Sequence, residues 1–399
     1  MNGVVSNQST ERFIYVISRA LVGTLEREEI TFENVDMKEL FSFAQEQMLI
    51  APVYGVLKGG MDPELKKYWR ASAIQSVTMQ VQRTQSFLDT YKELSQKGLQ
   101  PLVVKGILCR ETYPEPDARV SSDEDLYVPR AQYPAFHQAM LELGFSGEAP
   151  DYENAHEARY YKGNLMIEGH WELFPQDHSV LNALNTLNNG FWERSTVQEV
   201  EGVSLHVLEP TDHMTFLLLH AFKHFINSGV GIRQICDVAQ WSKAYEIEWS
   251  RVRDAMELAN AVYFAAAVFD AGERYFGLIP PADWPHADCE LLLEDALHGG
   301  IYGTSDMNRK HSGSMTLAAV EDAEKANRVR SLLKTLFPNR SVMAASFQWV
   351  NKSALLLPAA WALRIVRYLT SRGKRIKPME SVAIGNERLK LLREYRVIE

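Results

Sequence analysis

The sequence predicts an α+β fold: a small mixed-sheet core surrounded by N-terminal and C-terminal helical regions. Three observations carry that prediction. Apolar residues recur at helical spacing over the first ~98 residues, short β-branched runs bounded by breakers crowd residues 101–174, and helical spacing returns from Pro210 onward. The chain divides accordingly into a helical region over 1–98, the core over 99–208, a helical bundle packed on the core over 209–297, and a loop with a C-terminal helical region over 298–399.

The elements follow from local signals. Leu40, Phe41, Phe43, Ala44 and Met48 line one face of a helix opened by Asp36. Pro63 starts a long helix from about Glu64 to Leu94, and Gly98 stops it. Pro101–Lys105 reads as a buried strand ending at Gly106, followed by one or two helical turns from Ile107 to Tyr113. A second strand, Asp125–Val128, is closed by Pro129, and Gln132–Leu143 is an amphipathic helix stopped by Gly144. Ala158–Lys162 and Leu165–Phe174 flank Gly163-Asn164, a hairpin signal. Thr211-Asp212 is expected to cap a helix through Ile226; Ile232–Tyr245, Trp249–Asn260 and Ala261–Phe276 are the next helices. Residues 298–315 read as a Gly/Ser/Asn-rich loop, with helices after it over Leu317–Leu336, around Ala354–Leu369 and from Glu387.

Composition narrows the function. The 399 residues carry 42 basic and 51 acidic side chains, a net charge of −9, which argues against a nucleic-acid grip through overall charge. Three scattered cysteines, Cys109, Cys236 and Cys289, exclude a disulfide framework and a CxxC zinc site, and suit a reducing, cytoplasmic setting. The N-terminus lacks a charged-then-apolar signal pattern, and no charge-free run of ~18 apolar residues is present to span a membrane.

The strongest chemical feature is Arg119-Val-Ser-Ser-Asp-Glu-Asp-Leu-Tyr-Val128. Asp123 and Asp125 stand at i and i+2, so an extended strand points both carboxylates one way. Such a pair is often merely solvated, but it is also the arrangement that holds Mg²⁺ beside phosphates. Glu168, His170 and Glu172 share a face of another predicted strand, with Ile167, Trp171 and Leu173 on the other, so a third acid is available. Like charges this close destabilise a fold unless a counter-ion sits between them. Lys105-Gly106, at a strand end, would let a backbone approach phosphate closely beside a positive charge.

Val104-Lys105-Gly106, Arg119 with Ser121-Ser122-Asp123-Glu124-Asp125-Leu126, and Ile167-Glu168-Gly169-His170-Trp171 together resemble the uncharacterised nucleotidyltransferase family of the DNA polymerase beta-like superfamily. His220, His224, Arg233 and Asp237 match the family's helical part, and the resemblance covers about residues 35–280. It implies transfer of a nucleoside monophosphate from an NTP to an acceptor with two Mg²⁺ ions. Asp123, Asp125 and Glu168 would be the catalytic, metal-binding acids. Lys105, Gly106, Arg119, Ser121, Ser122, His170, Lys223, His224 and Arg233 would meet the nucleotide, the last three offsetting triphosphate charge. Two positions depart from the pattern. Ile107 stands where the superfamily turn has Ser or Gly, so Lys105, Ser121 or Ser122 must replace a hydroxyl contact. Glu124 stands where an apolar residue is usual and needs a partner or solvent on the opposite strand face.

The acidic charge favours a small-molecule or protein acceptor. An alternative is a catalytically degenerate, nucleotidyltransferase-like module that binds a partner or membrane surface through the basic helix over 354–377, although that segment reads more simply as a helix packed on the bundle with a solvated basic end. A zinc hydrolase built on His220, His224 and Asp237 ranks last, because no HExxH glutamate accompanies the histidines. Cys109 has no neighbouring histidine in sequence and reads as core.

Overall fold

A computed structural model describes residues 7–22, 36–57, 61–299, 357–370 and 378–399, with scattered positions between 309 and 356. Among the described residues, four helices come first: α1 (Asn7–Val22), α2 (Met37–Glu46), α3 (Ile50–Leu57) and α4 (Pro63–Gln96). Asp36 and Asp62 cap α2 and α4, each accepting two backbone N–H groups, with Pro63 in the first turn of α4. The core follows: β1 (Leu102–Val103), α5 (Ile107–Arg110), β2 (Glu124–Tyr127), α6 (Tyr133–Glu142), β3 (Ser146–Gly147), β4 (Glu157–Lys162) and β5 (Leu165–His170). Short helices α7 (Ser179–Ala183) and α8 (Asn188–Glu193) lead to β6 (Thr196–Val200) and β7 (Val203–Val207). The bundle is α9 (Pro210–Asn227), α10 (Ile232–Ala244), α11 (Trp249–Leu258), α12 (Val262–Phe276) and α13 (Glu290–Gly299), and α14 (Leu357–Thr370) and α15 (Pro378–Glu394) close the chain.

Among the described residues the strands form one seven-stranded mixed sheet, ordered β3-β4-β5-β2-β1-β7-β6. β2 pairs parallel with β5 and β1 parallel with β7; the other pairings are antiparallel. The α+β prediction therefore holds, with a larger sheet than the sequence suggested. The unpredicted β6–β7 hairpin turns on Glu201-Gly202, both at positive φ (47° and 77°), the pairing that a two-residue turn twisting with its strands requires. The predicted Gly163-Asn164 turn is present, with Gly163 at φ 61°.

Some boundaries differ. β5 ends at His170, where the Trp171 and Glu172 amides turn to donate to the His156 carbonyl, so Glu172 leaves the face of Glu168 and instead accepts from Asn188. Glu209, not Thr211-Asp212, caps α9, accepting from the Thr211 and Asp212 amides at 3.0 and 3.1 Å. The predicted loop 298–315 and the helix 317–336 fall largely outside the described residues. So do the side chains of 364–377, which carry the charge of the predicted basic helix. No described helix is long and apolar enough to cross a membrane.

The main apolar core among the described residues runs from Phe13 in α1, through the sheet, to Tyr395 beyond α15. α9 lies deep within it, with 14 of its 18 residues buried, so any polar side chain on that helix must find a partner or a cleft. That requirement places His220, Lys223 and His224 opposite the sheet.

Candidate active site

The centre of the sheet brings the predicted acids together. Parallel pairing sets Asp125 of β2 level with Glu168 of β5, and carboxylate oxygens of both lie within 4.8 Å of a His170 ring nitrogen. Asp123, just before β2, joins them through Lys105: the ammonium is 3.0 Å from Asp125 Oδ2 and 3.9 Å from Asp123 Oδ2. Ser122 Oγ donates to Asp123 Oδ1 at 2.9 Å, and His170 Nε2 donates to Asp125 Oδ1 at 3.1 Å. Lys105 also meets His220 Nε2 at 3.3 Å, and His220 pairs with His224 at 3.0 Å across one turn of α9.

The register also delivers residues that sequence reasoning missed. Glu157 of β4 pairs with His170 and Arg159 with Glu168. Arg159 donates to both Glu168 (2.8 Å) and Glu157 (2.9 Å), tying the two carboxylates. The signal was available: a two-residue turn at Gly163-Asn164 fixes every cross-strand pair of that hairpin.

Lys105, Ser122, Asp123, Glu157, Glu168 and Lys223 line a cleft of about 1260 Å³, with Asp125 and His170 buried behind its wall. Its charges perturb one another. Burial pushes the Glu168 carboxyl up to about 6, and the neighbouring Asp125, Glu157 and Asp123 carboxylates add to this. Burial also opposes the Asp123 and Glu157 charges, but cations overcome it: Lys105 brings Asp123 down to about 2, and His170 foremost, with Lys223 and Arg159, brings Glu157 to about 2. Burial, reinforced by nearby cations, holds His220 and His224 well below the ordinary histidine range, so their rings are neutral.

The counter-charge expected of metal and triphosphate alone is thus partly internal, supplied by Lys105, His170 and Arg159. The site still fits a divalent ion. Asp125 Oδ2 is buried and paired with the Lys105 ammonium at 3.0 Å, and the donor set around it is dominated by carboxylate oxygens, the ligands that hard cations prefer.

Not every predicted site residue faces this cleft. Arg119 forms a two-pronged buried pair with Asp237 (2.6 and 3.1 Å), which also accepts from Tyr113 OH at 2.6 Å. Arg119 further donates to Ser121 Oγ, whose backbone N–H is held by Gln80. Arg233, on α10, is buried and donates to the Val120 carbonyl. Lys105, Gly106, Arg119, Ser121 and Arg233 border a small recess beside the cleft, with Asp237 at its wall. Asp237 is therefore engaged by Arg119, and the His220–His224–Asp237 metal trio is not assembled among the described residues.

The two departures turn out to be partners. Glu124 is buried and accepts the Ile107 N–H at 2.9 Å, beneath a Gly106 at φ 65°. A Cβ on Gly106 would stand 2.0 Å from Glu124 Oε2, so only glycine fits. Burial pushes this carboxyl up to about 7, with the Ile107 hydrogen bond working the other way. Cys109, far from His213 in sequence, lies 3.8 Å from its ring, but burial raises the thiol well above its ordinary range and leaves it inert.

The model of the uncharacterised nucleotidyltransferase family matches residues 33–276. The chain belongs to that family. The assignment supports nucleotidyl transfer as the general chemistry of the fold just described. No curated protein matches the chain, and no solved structure matches it.

Proposed function

We propose that this chain is a Mg²⁺-dependent nucleotidyltransferase that moves a nucleoside monophosphate from an NTP to a small-molecule or protein acceptor. The observation that carries this reading is the convergence of Asp125 and Glu168 from neighbouring parallel strands, with Asp123 joined to them through Lys105; Lys105, Asp123 and Glu168 line a large cleft, with Asp125 buried behind them. Asp123, Asp125 and Glu168 would hold two Mg²⁺ ions, which when bound neutralise developing phosphate charge. Lys105 and Lys223, both on the cleft wall, supply further positive charge for the triphosphate, and His224 lines the same wall as a neutral group. Glu168 would either bridge one ion or, left off the metals, accept the acceptor's proton near neutrality, its carboxyl without bound cations standing at about 6. At about 1260 Å³ the cleft exceeds the ~300–1,000 Å³ usual for one small ligand, which leaves room for nucleotide and acceptor together. The net charge of −9 favours a small or protein acceptor over nucleic acid.

One observation favours a second reading, a nucleotidyltransferase-like binding module without turnover. The Ile107 amide, at the turn where phosphate is expected, is already engaged by Glu124. Calorimetry with Mg²⁺ and each of the four NTPs, together with a measurement of whether a bound NTP is consumed with release of pyrophosphate, separates the two. Binding of at least one NTP that disappears in the Asp123→Asn/Asp125→Asn variant, with pyrophosphate released, supports the enzyme, and binding without release favours the module; no binding of any NTP to the wild type removes the enzyme.

A further inference from the structure

A second donor cluster lies on the β4 side of the cleft. His156 Nε2 stands 3.3 Å from Glu157 Oε2, and His170 Nδ1 stands 3.5 Å from the same oxygen. The three atoms lie within 4.8 Å of one another. Both nitrogens are buried, and neither makes a hydrogen bond. Two buried ring nitrogens aimed at one carboxylate oxygen without bonding to it form an unsatisfied arrangement for hydrogen bonding alone.

The spacing suits a tetrahedral ion. With metal–ligand bonds of about 2.0–2.1 Å, neighbouring ligand atoms in a tetrahedron are about 3.4 Å apart. Two of the three edges here are 3.3 and 3.5 Å. The outer groups are also in place. His170 donates its other nitrogen, Nε2, to Asp125 Oδ1, the carboxylate–histidine relay that orients a metal-binding imidazole. Arg159 donates to the free oxygen of Glu157 at 2.9 Å and so fixes that carboxylate.

We infer that His156, Glu157 and His170 form a site for a late first-row divalent ion of the Zn²⁺ class, distinct from the Asp123–Asp125–Glu168 cluster. The ion takes the place of any proton held between His170 Nδ1 and Glu157, and that proton passes to solvent. Because His156 and Glu157 line the cleft, a fourth position remains on the cleft side for water or an oxygen ligand. The donor set, two nitrogens and one carboxylate, favours Zn²⁺ or Co²⁺ over Mg²⁺. This inference does not rest on nucleotidyl transfer.

The test uses the full chain, freed of metal by a chelator and titrated with Co²⁺ and Zn²⁺. The expected result is one Co²⁺ per chain with the visible absorption of a tetrahedral centre, displaced by Zn²⁺. His156→Ala and Glu157→Gln should each weaken Zn²⁺ binding by about 100-fold or more, while Asp123→Asn leaves it unchanged. Thermal melts identify any variant that has lost its fold, and the other variant then decides. Wild-type protein that binds neither ion at micromolar concentration overturns the inference. So does binding that survives His156→Ala and Glu157→Gln but is lost in Asp123→Asn.

Discussion

Two buried charge clusters, built on either side of the Lys105-Gly106 turn, are put together in opposite ways. Around Asp237, both oxygens are engaged by Arg119, one of them also by Tyr113. Burial opposes the Asp237 charge, yet the Arg119 guanidinium holds its carboxyl below the usual range. Around Asp125, by contrast, one oxygen meets the Lys105 ammonium and the other His170, while His156 Nε2 and His170 Nδ1 remain without hydrogen bonds although buried. The first cluster is a brace between the core and α10. The second keeps coordination capacity in reserve beside a cleft, which is where chemistry belongs.

The largest effect that can break this contrast is on turnover. Asp125→Asn should lower any metal-dependent nucleotidyl transfer by about 1,000-fold or more, measured as release of pyrophosphate, with the variant still folded. Arg119→Ala should act on stability instead: removing one partner of a buried pair leaves Asp237 uncompensated, at about 3–5 kcal/mol, read from urea unfolding. If Asp125→Asn unfolded the protein and Arg119→Ala did not, the roles assigned to the two clusters would be reversed.

Gly106→Ala should destabilise by about 2–4 kcal/mol, from left-handed backbone and overpacking against Glu124. Restoring stability with Glu124→Ala in that background would trace the loss to this contact. A smaller effect concerns pH. Glu168, with its carboxyl at about 6, must lose its proton to bind a cation, so Mn²⁺ affinity should fall as pH drops from 7 to 5, by about tenfold per unit below 6. An affinity flat across that range would remove Glu168 from the metal set. The smallest change is expected of Glu124→Gln. A carboxyl raised from about 4.5 to about 7 on folding contributes stability at low pH that is lost as pH rises through 7, so the variant should match wild type near pH 5 and exceed it by about 1–3 kcal/mol at pH 8. Equal urea midpoints at both pH values would count against a buried, strained charge.

How much of this was legible in the sequence depends on the range of the signal. Period-2 spacing is local, so Asp123, Asp125 and Glu168 could be read directly, as could the helical faces of α4 and α9. Glu157 and Arg159 were one inference away, since the Gly163-Asn164 turn sets their pairing with His170 and Glu168; beginning the strand at Ala158 hid it. The β6–β7 hairpin was missed because Glu-Gly is a weaker turn signal than Asn-Gly, although both residues take positive φ. The Arg119–Asp237 brace joins residues 118 apart, and Cys109–His213 residues 104 apart, so neither has any local signature. Glu124 looked like a surplus charge because its partner, the Ile107 amide, belongs to the backbone of another element.

The central claim, that Asp123, Asp125 and Glu168 hold divalent ions beside a triphosphate, is tested most directly by counting bound Mn²⁺. Electron paramagnetic resonance in the presence of a non-hydrolysable NTP analogue should report two Mn²⁺ per wild-type chain and none in Asp123→Asn/Asp125→Asn. Equal Mn²⁺ binding by the wild type and the double variant would contradict it.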